Sequence, residues 1–411
     1  MNRIYTTVFF CLASIALFAG NPPVKRAFQS GGFNREYILY EPVNPLYNRP
    51  AGIIVCLHGF NRTMADFFQE YNFSDVADSL NYLILAPQAL PEQDANVIAK
   101  AQLIATFSGE QLSLNSVWGC GLGVKAGFYL AGTYISVLDE ELNKLIDDTG
   151  FIRSIIDQTR DEYGLPQENI FVFGTSMGGY MAYRFALEQG DILSGLISVA
   201  GSMGLHAEGT DSGIKTPVCD FHSLTDEVVP YTGSYVRSGM QVDLAQDKQQ
   251  VIDYWVKNNS AGNPVVEDVR YYASTNDIRV EKITYPAPIY EVIHYRINGA
   301  GHSYFFRKAN GDCMDYVEET VKFIRSHASG DATGIRNFPL AGAHFYPNPA
   351  QDIIRFGIEE GNVTVYDLAG KTLLSKAFVS GQTDISILKP GIYLIRIQSG
   401  NNNRITKLIK L

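Results

Sequence analysis

Between about residues 35 and 330 the chain alternates nearly continuous apolar runs with stretches whose apolar positions recur every three or four residues. The first kind predicts buried strands over 37–40, 52–57, 82–86, 170–173, 195–200, 217–221 and 291–297. The second predicts helices over 65–79, 151–163, 179–189 and 246–257. A closing helix follows over 314–327, with Val317, Val321 and Ile324 on one face. Strands that are apolar on both faces and separated by helices call for an α/β architecture, a parallel sheet covered on both sides. The stretch from 88 to 143 fits neither pattern. It is long and Gly-rich, and in such a fold an insertion of that length is expected to be a functional loop.

The pattern changes at Ser329–Thr333 (SGDAT), inside an expected linker over 328–340. Short strands follow over 352–358, 362–368, 371–378, 392–398 and 404–409. Glu360-Gly361, Ala369-Gly370, Ser380-Gly381 and Pro390-Gly391 mark turns between them, so residues 341–411 read as a small all-β antiparallel sandwich. Charge separates the same two regions. Residues 331–411 hold nine basic and six acidic side chains, a net of +3, within a chain whose total is −10. No block of like charge and no basic face stands out, which argues against a nucleic-acid partner.

The first twenty residues read as a secretory signal: Asn2-Arg3, an apolar stretch from Ile4 to Ala19, then Gly20 and Asn21-Pro22-Pro23. Cys11 lies within it. The four other cysteines, Cys56, Cys120, Cys219 and Cys313, enter an oxidising compartment, and none has CxxC or zinc-site spacing. Cys120 and Cys313 lie in Gly-rich or polar loops and are the expected disulfide.

The strongest chemical signal is Phe173-Gly174-Thr175-Ser176-Met177-Gly178-Gly179, where an apolar strand runs into Gly-x-Ser-x-Gly and on into a helix. A nucleophile on so sharp a turn needs neighbours without side chains at both flanks, and the helix N-terminus behind it favours developing negative charge. Ser176 is therefore the expected nucleophile of an α/β-hydrolase fold, in which acid and base follow in the order Asp/Glu, then His. Asp226 lies in the loop after strand 217–221; Asp220 is within the strand, and Glu227 is the weaker rival. His302 ends the Gly-rich loop Asn298–Ser303 after the last strand and is the expected general base. Oxyanion donors are expected at the backbone N–H groups of Met177 and of Phe60, the latter just beyond the strand end Leu57-His58-Gly59. His58 is expected to orient that loop rather than take part in the chemistry.

These residues resemble the secreted esterase family that includes polyhydroxybutyrate depolymerase-like enzymes and feruloyl or acetylxylan esterases. The match covers residues 30–327. It is carried by Leu57-His58-Gly59, Asp147–Ile152 (DDTGFI), Gly174–Gly179 (GTSMGG), His222–Tyr231 (HSLTDEVVPY) and the approach Tyr295–His302 (YRINGAGH). Such enzymes often carry Trp-Pro shortly after the His, where this chain has Tyr304-Phe305, so Tyr304 becomes a candidate substrate-binding residue. Trp118-Gly119-Cys120-Gly121 is similar to the family's active-site loop, which makes Trp118 a second candidate, either as a platform for an aromatic acyl group or as a plainly buried residue. Phe345–Ala350 (FYPNPA), Val365–Lys371 (VYDLAGK), Leu388–Leu394 (LKPGIYL) and Lys407–Leu411 resemble the C-terminal sorting domain of type IX secretion substrates. That resemblance implies passage through the periplasm to the cell surface or medium, with the type IX machinery as a partner.

The reading is a secreted serine esterase needing neither metal nor organic cofactor. Feruloyl or acetyl esters of plant polysaccharides are the first substrate class that the resemblance implies, and polyhydroxybutyrate or another polyester the second. A serine peptidase on the same fold, or a silent glycan-binding surface protein, are the rival classes; the second is disfavoured by a complete Ser–Asp–His set.

Overall fold

The computed structural model describes residues 21–411 except 44–49, 72, 109–112, 208–212, 238–239, 303–305, 330–344, 347–349, 357–359, 368–370 and 400–401. The expected signal segment and most of the expected linker therefore lie outside the described residues. The chain divides into two compact units, Met1–His327 and Ala328–Leu411.

The first unit opens with strands β1 (Val24–Ser30), β2 (Phe33–Tyr40) and β3 (Gly52–Leu57), then helices α1 (Met64–Tyr71) and α2 (Phe73–Leu80) and strand β4 (Tyr82–Pro87). Helix α3 (Ala95–Ser108) and strands β5 (Gly123–Leu130) and β6 (Thr133–Glu141) occupy the insertion. Next come α4 (Asp148–Tyr163), β7 (Ile170–Thr175), α5 (Met177–Gln189), β8 (Gly195–Val199) and β9 (Val218–Ser223). Strands β10 (Ser234–Arg237) and β11 (Met240–Asp243), α6 (Lys248–Asn259), β12 (Val265–Asp268), β13 (Arg279–Tyr285), β14 (Val292–Asn298) and α7 (Tyr316–His327) complete it.

Ten strands form one sheet in the order β1-β2-β4-β3-β7-β8-β9-β14-β13-β12. The six central strands, β4 to β14, run parallel. The apolar runs predict all six, and the seventh run, over 37–40, is the end of β2. The flanks depart from that picture: β1, β2, β13 and β12 pair antiparallel, giving a mixed sheet. Strands β1 and β12 carry no buried run, and every residue of β12 is exposed, so no hydrophobic pattern announces them. The single helix expected over 65–79 is two helices, α1 and α2.

The insertion is more ordered than expected. Strands β5 and β6 turn through Ala131 and Gly132, both at positive φ, and join β10 and β11 in a separate four-stranded sheet. Gln241, Val242 and Asp243 of β11 pair with Gly127, Ala126 and Lys125 of β5, partners far apart in sequence that no local signal connects.

A buried ion pair fixes the insertion's lower end. Arg35 of β2 reaches Asp148 of α4 at 2.6 Å, with both side chains all but unexposed. Arg35 also donates to Gln88 O at 3.1 Å and lies over the Phe151 ring at 4.0 Å. The second Asp148 oxygen accepts the Gly119 amide at 2.7 Å. One pair of charges thus joins β2, the end of β4, the start of α4 and the loop that carries Trp118.

The second unit holds two antiparallel sheets. Thr372–Phe378, Gly361–Tyr366, Gly391–Ser399 and Asn402–Lys410 form one; Phe345–Tyr346, Ile353–Phe356 and Gln382–Asp384 form the other. Alternate residues such as Val363, Val365, Ile395 and Ile397 face a core shared with Ile354, Phe378 and Leu408.

Asp148→Asn should lower the unfolding free energy by about 3–5 kcal/mol, because it strands the buried Arg35 charge. Asp147→Asn should cost far less, since Asn replaces Asp well as the N-cap of α4. Urea denaturation followed by Trp fluorescence checks both, as Trp118 and Trp255 both belong to the first unit. Equal effects would refute the assignment of the larger role to Asp148.

Candidate active site

Strand β7 is buried along its whole length and ends at Ser176, which caps α5 with φ 53° and ψ −122°. That conformation is strained for a residue bearing a side chain. It is held because the backbone crosses itself closely. A Cβ on Gly174 would come within 2.0 Å of Gly178 O, and one on Gly178 within 2.0 Å of Leu57 O. The Ser176 amide donates to Val199 O of β8 at 2.8 Å, while the Gly179 amide returns to Ser176 O at 2.8 Å. The fold thus presents the Ser176 side chain, partly exposed, at the C-terminal end of the parallel strands.

The acid and base loops leave two neighbouring parallel strands, β9 and β14. Side chains tie these loops together: the Ser223 and Thr225 hydroxyls both donate to Ala300 O. His302 Nδ1 then lies 2.8 and 3.0 Å from the two Asp226 oxygens, and His302 Nε2 lies 2.9 Å from Ser176 Oγ. An ionised Asp226 can only accept, so Nδ1 carries the proton and Nε2 offers its lone pair to the serine hydroxyl. The Asp226 side chain is fully buried. Burial opposes its charge, but the hydrogen bond and charge of His302 and the Val229 amide outweigh it and hold the carboxyl below its usual range. The Val228 and Val229 amides both donate to Asp226 Oδ1, at 2.9 and 2.8 Å. The weaker rival Glu227 does not touch the imidazole in the same way; it accepts the His302 backbone amide at 3.3 Å.

Of the expected oxyanion donors, Met177 begins α5 and Phe60 follows β3 in a half-buried turn. The Phe60 loop backs directly onto the nucleophile, since a Cβ on Gly59 would sit 3.4 Å from Ser176 Cβ. His58 is buried, with Nδ1 toward Gly59 O at 2.8 Å and Nε2 accepting the Ala89 amide at 3.1 Å. Burial pushes this imidazole down to about 4, and the ring braces the loop.

Two expectations need correction. Trp118 is wholly buried and packs on His58, its indole N–H donating to His58 O at 2.8 Å, so it offers no ring face to a substrate. Cys120 and Cys313 form no disulfide, and all four thiols are free and buried. Cys120 is packed in the main apolar core with Trp118 and Tyr180, away from Cys313, whose carbonyl receives the Tyr272 amide. Burial pushes the Cys120 thiol up to about 12, which suits a small core residue. Tyr304 lies outside the described residues. Among the described residues no group of three or more His, Cys, Asp or Glu side chains is placed to hold a metal ion.

A second polar cluster lies beneath this site and escaped the sequence reading. Asp220 of β9 accepts Tyr183 Oη at 2.8 Å, Lys248 Nζ at 2.9 Å and His294 Nδ1 at 2.9 Å, and His294 Nε2 meets Tyr231 Oη at 2.9 Å. Burial disfavours the Asp220 charge, but Lys248 and His294 more than offset it and keep the carboxyl ionised. Asp220 therefore does point away from His302, as its place within the strand implies. Nothing in the local sequence marks Lys248, which sits in an ordinary amphipathic helix.

Residues 136–270 match the phospholipase/carboxylesterase family, and residues 344–411 match the secretion system C-terminal sorting domain. Among solved structures, the chain is similar to an acetyl xylan esterase from Aspergillus awamori at 13% identity, covering 73% of this chain and 99% of that one, with a TM-score of 0.47. It is also similar to an S-formylglutathione hydrolase from Agrobacterium tumefaciens at 11% identity, covering 74% and 95%, with a TM-score of 0.44. An acylaminoacyl peptidase from Pyrococcus horikoshii is similar at 13% identity, covering 76% of this chain and 43% of that one, with a TM-score of 0.41. The sheet order, the strand–Ser176–helix turn and the family match over 136–270 make the first unit a carboxylesterase-type α/β hydrolase, and the sorting domain over 344–411 marks the chain for type IX secretion to the cell surface or medium.

Proposed function

We propose that the first unit is a serine carboxylesterase that works through an acyl-enzyme on acetyl or feruloyl esters of extracellular polysaccharides. The observation that carries the reaction is the continuous hydrogen-bond chain from Ser176 Oγ through His302 to the buried Asp226. Ser176 Oγ attacks the ester carbonyl carbon while His302 Nε2 takes its proton. The Phe60 and Met177 amides stabilise the negative oxygen of the tetrahedral intermediate. Collapse expels the alcohol, which receives the proton from His302 and leaves the acyl group on Ser176. Water then attacks the acyl-enzyme with His302 again as base, releasing the carboxylic acid and restoring the serine. Asp226 keeps the imidazole in the reactive tautomer and balances its charge in both halves.

The substrate class rests on location and charge. Secretion puts the enzyme among extracellular polymers, and a net of −13 over the first 330 residues disfavours polyanions while leaving neutral acylated glycans accessible. A hydrolysis panel of p-nitrophenyl acetate, methyl ferulate, acetylxylan and polyhydroxybutyrate tests it. Turnover of polyhydroxybutyrate alone would overturn the polysaccharide assignment.

Ser176→Ala should abolish p-nitrophenyl acetate turnover with little change in thermal midpoint. Asp226→Asn should lower kcat on the order of 10⁴-fold, the size seen for that change in a serine-protease triad, and Glu227→Gln should cost far less. Kinetics on the purified variants check these roles, and a damaging Glu227→Gln beside a mild Asp226→Asn would redraw the site.

Removing residues 331–411 should leave hydrolysis of soluble esters intact in recombinant protein while trapping the enzyme in the periplasm of its native host. Cell fractionation of full-length and truncated forms reads the result. Truncated enzyme in the medium at full-length levels would sink the sorting role.

A further inference from the structure

We propose that His222 is the positioning residue for Asp226, acting through the two faces of Val229; the inference rests on the catalytic roles proposed for Ser176, Asp226 and His302. His222 is 1% exposed, and each of its ring nitrogens faces a carbonyl oxygen at 2.9 Å: Nδ1 faces Gly201 and Nε2 faces Val229. Val229 is the point of transmission. Its amide donates to Asp226 Oδ1 at 2.8 Å, while its carbonyl meets His222. Pro230 follows and restricts Val229 to extended backbone, so fixing the carbonyl also fixes the amide that grips Asp226.

The other end of the ring is set by the buried cluster. Gly201 O receives Lys248 Nζ at 2.6 Å, and Lys248 is in turn held by Asp220 at 2.9 Å. Gly201 also underlies the nucleophile, since a Cβ there would stand 2.6 Å from Gly179 Cα and 2.9 Å from Ser176 O. His222 thus spans the gap between the support of the serine and the loop of the acid. The charged and titratable groups around it are Asp220 on its own strand, Lys248 from α6, Asp226 at 3.8 Å and the edge-on ring of Tyr231. Burial and then Lys248 oppose a charge on His222, against the raising effect of Asp220 and Asp226. Lys248 already supplies a donor to Gly201 O. In the proposed role, His222 carries an imidazole N–H on Nε2 and donates it to Val229 O.

The test compares His222→Phe and His222→Gln in the full-length protein, with p-nitrophenyl acetate kinetics expressed per folded molecule by near-UV circular dichroism. His222→Phe keeps a ring but no donor. It should lower kcat about a hundredfold, the cost of a misplacement near 1 Å, and leave KM within about twofold. His222→Gln returns an N–H to the Nε2 position and should recover about tenfold or more of that loss. A His222→Phe enzyme with kcat within about threefold of wild type overturns the inference, as does a Gln variant no better than Phe. Should His222→Phe not fold, His222→Asn takes its place, since its shorter amide reaches only the Gly201 side. Equal kcat for the Asn and Gln variants would then overturn the inference. An inactive wild type sinks the esterase reading itself, whereas an active wild type with an unimpaired His222 variant sinks the positioning role alone.

Discussion

The site depends on one close backbone crossing. Strand β7 passes into α5 with no room for a side chain at Gly174 or Gly178, because Gly178 O and Leu57 O occupy the space that a Cβ would need. Ser176 is left in a conformation that it would not adopt on its own. The strain is sustained because β3, β7 and β8 are wholly buried parallel neighbours whose backbone positions are over-determined by the sheet. The same crossing brings the β3 end beside the serine, so that the Phe60 loop and the start of α5 flank Ser176.

Asp226 and His302 are positioned differently, by polar cross-links between loops. Ser223 and Thr225 hold Ala300 O, the Val228 and Val229 amides hold Asp226, and Glu227 holds the His302 amide. These bonds fix the two loops relative to each other and to the buried Val229 and Ala300. The buried pairs Arg35–Asp148 and Asp220–Lys248 serve the same end from deeper in the protein. Buried ion pairs add little net stability, because desolvation offsets their attraction. Here each pair also binds main-chain groups of a loop next to the site: the Gly119 amide in one case, and the Gly201 carbonyl in the other. Their contribution is best understood as fixing where those loops run.

How much of this could be read from the sequence follows from what kind of interaction makes each part. The six central strands announce themselves because burial on both faces leaves unbroken apolar runs, and Gly174–Gly178 announces the turn because only glycine fits the crossing. The order of Ser176, Asp226 and His302 is fixed by topology, so each could be placed from its position after a strand. Strands β1 and β12 were illegible because they are exposed edges. The pairing of β5 with β11 was illegible because it joins segments more than a hundred residues apart. Trp118 misled for a related reason. A tryptophan in a Gly-rich loop reads equally well as a platform or as a core residue, and only the contact with His58 separates the two. Lys248 lacked any signal at all, since a lysine in an amphipathic helix reads as solvated until its partner Asp220 is known.

The two units also divide their requirements along physical lines. The first is built on a buried parallel core and carries a net charge of −13 over residues 1–330. The second needs only short antiparallel strands whose alternate residues fill a small core, as Val363, Val365, Ile395 and Ile397 do. Its net charge is opposite in sign, and its expected turns fall at Gly-containing pairs. A unit that is recognised by export machinery must fold without help from its passenger if it is to act on passengers of different kinds. The second unit has its own core, drawn from residues between Ala350 and Leu408.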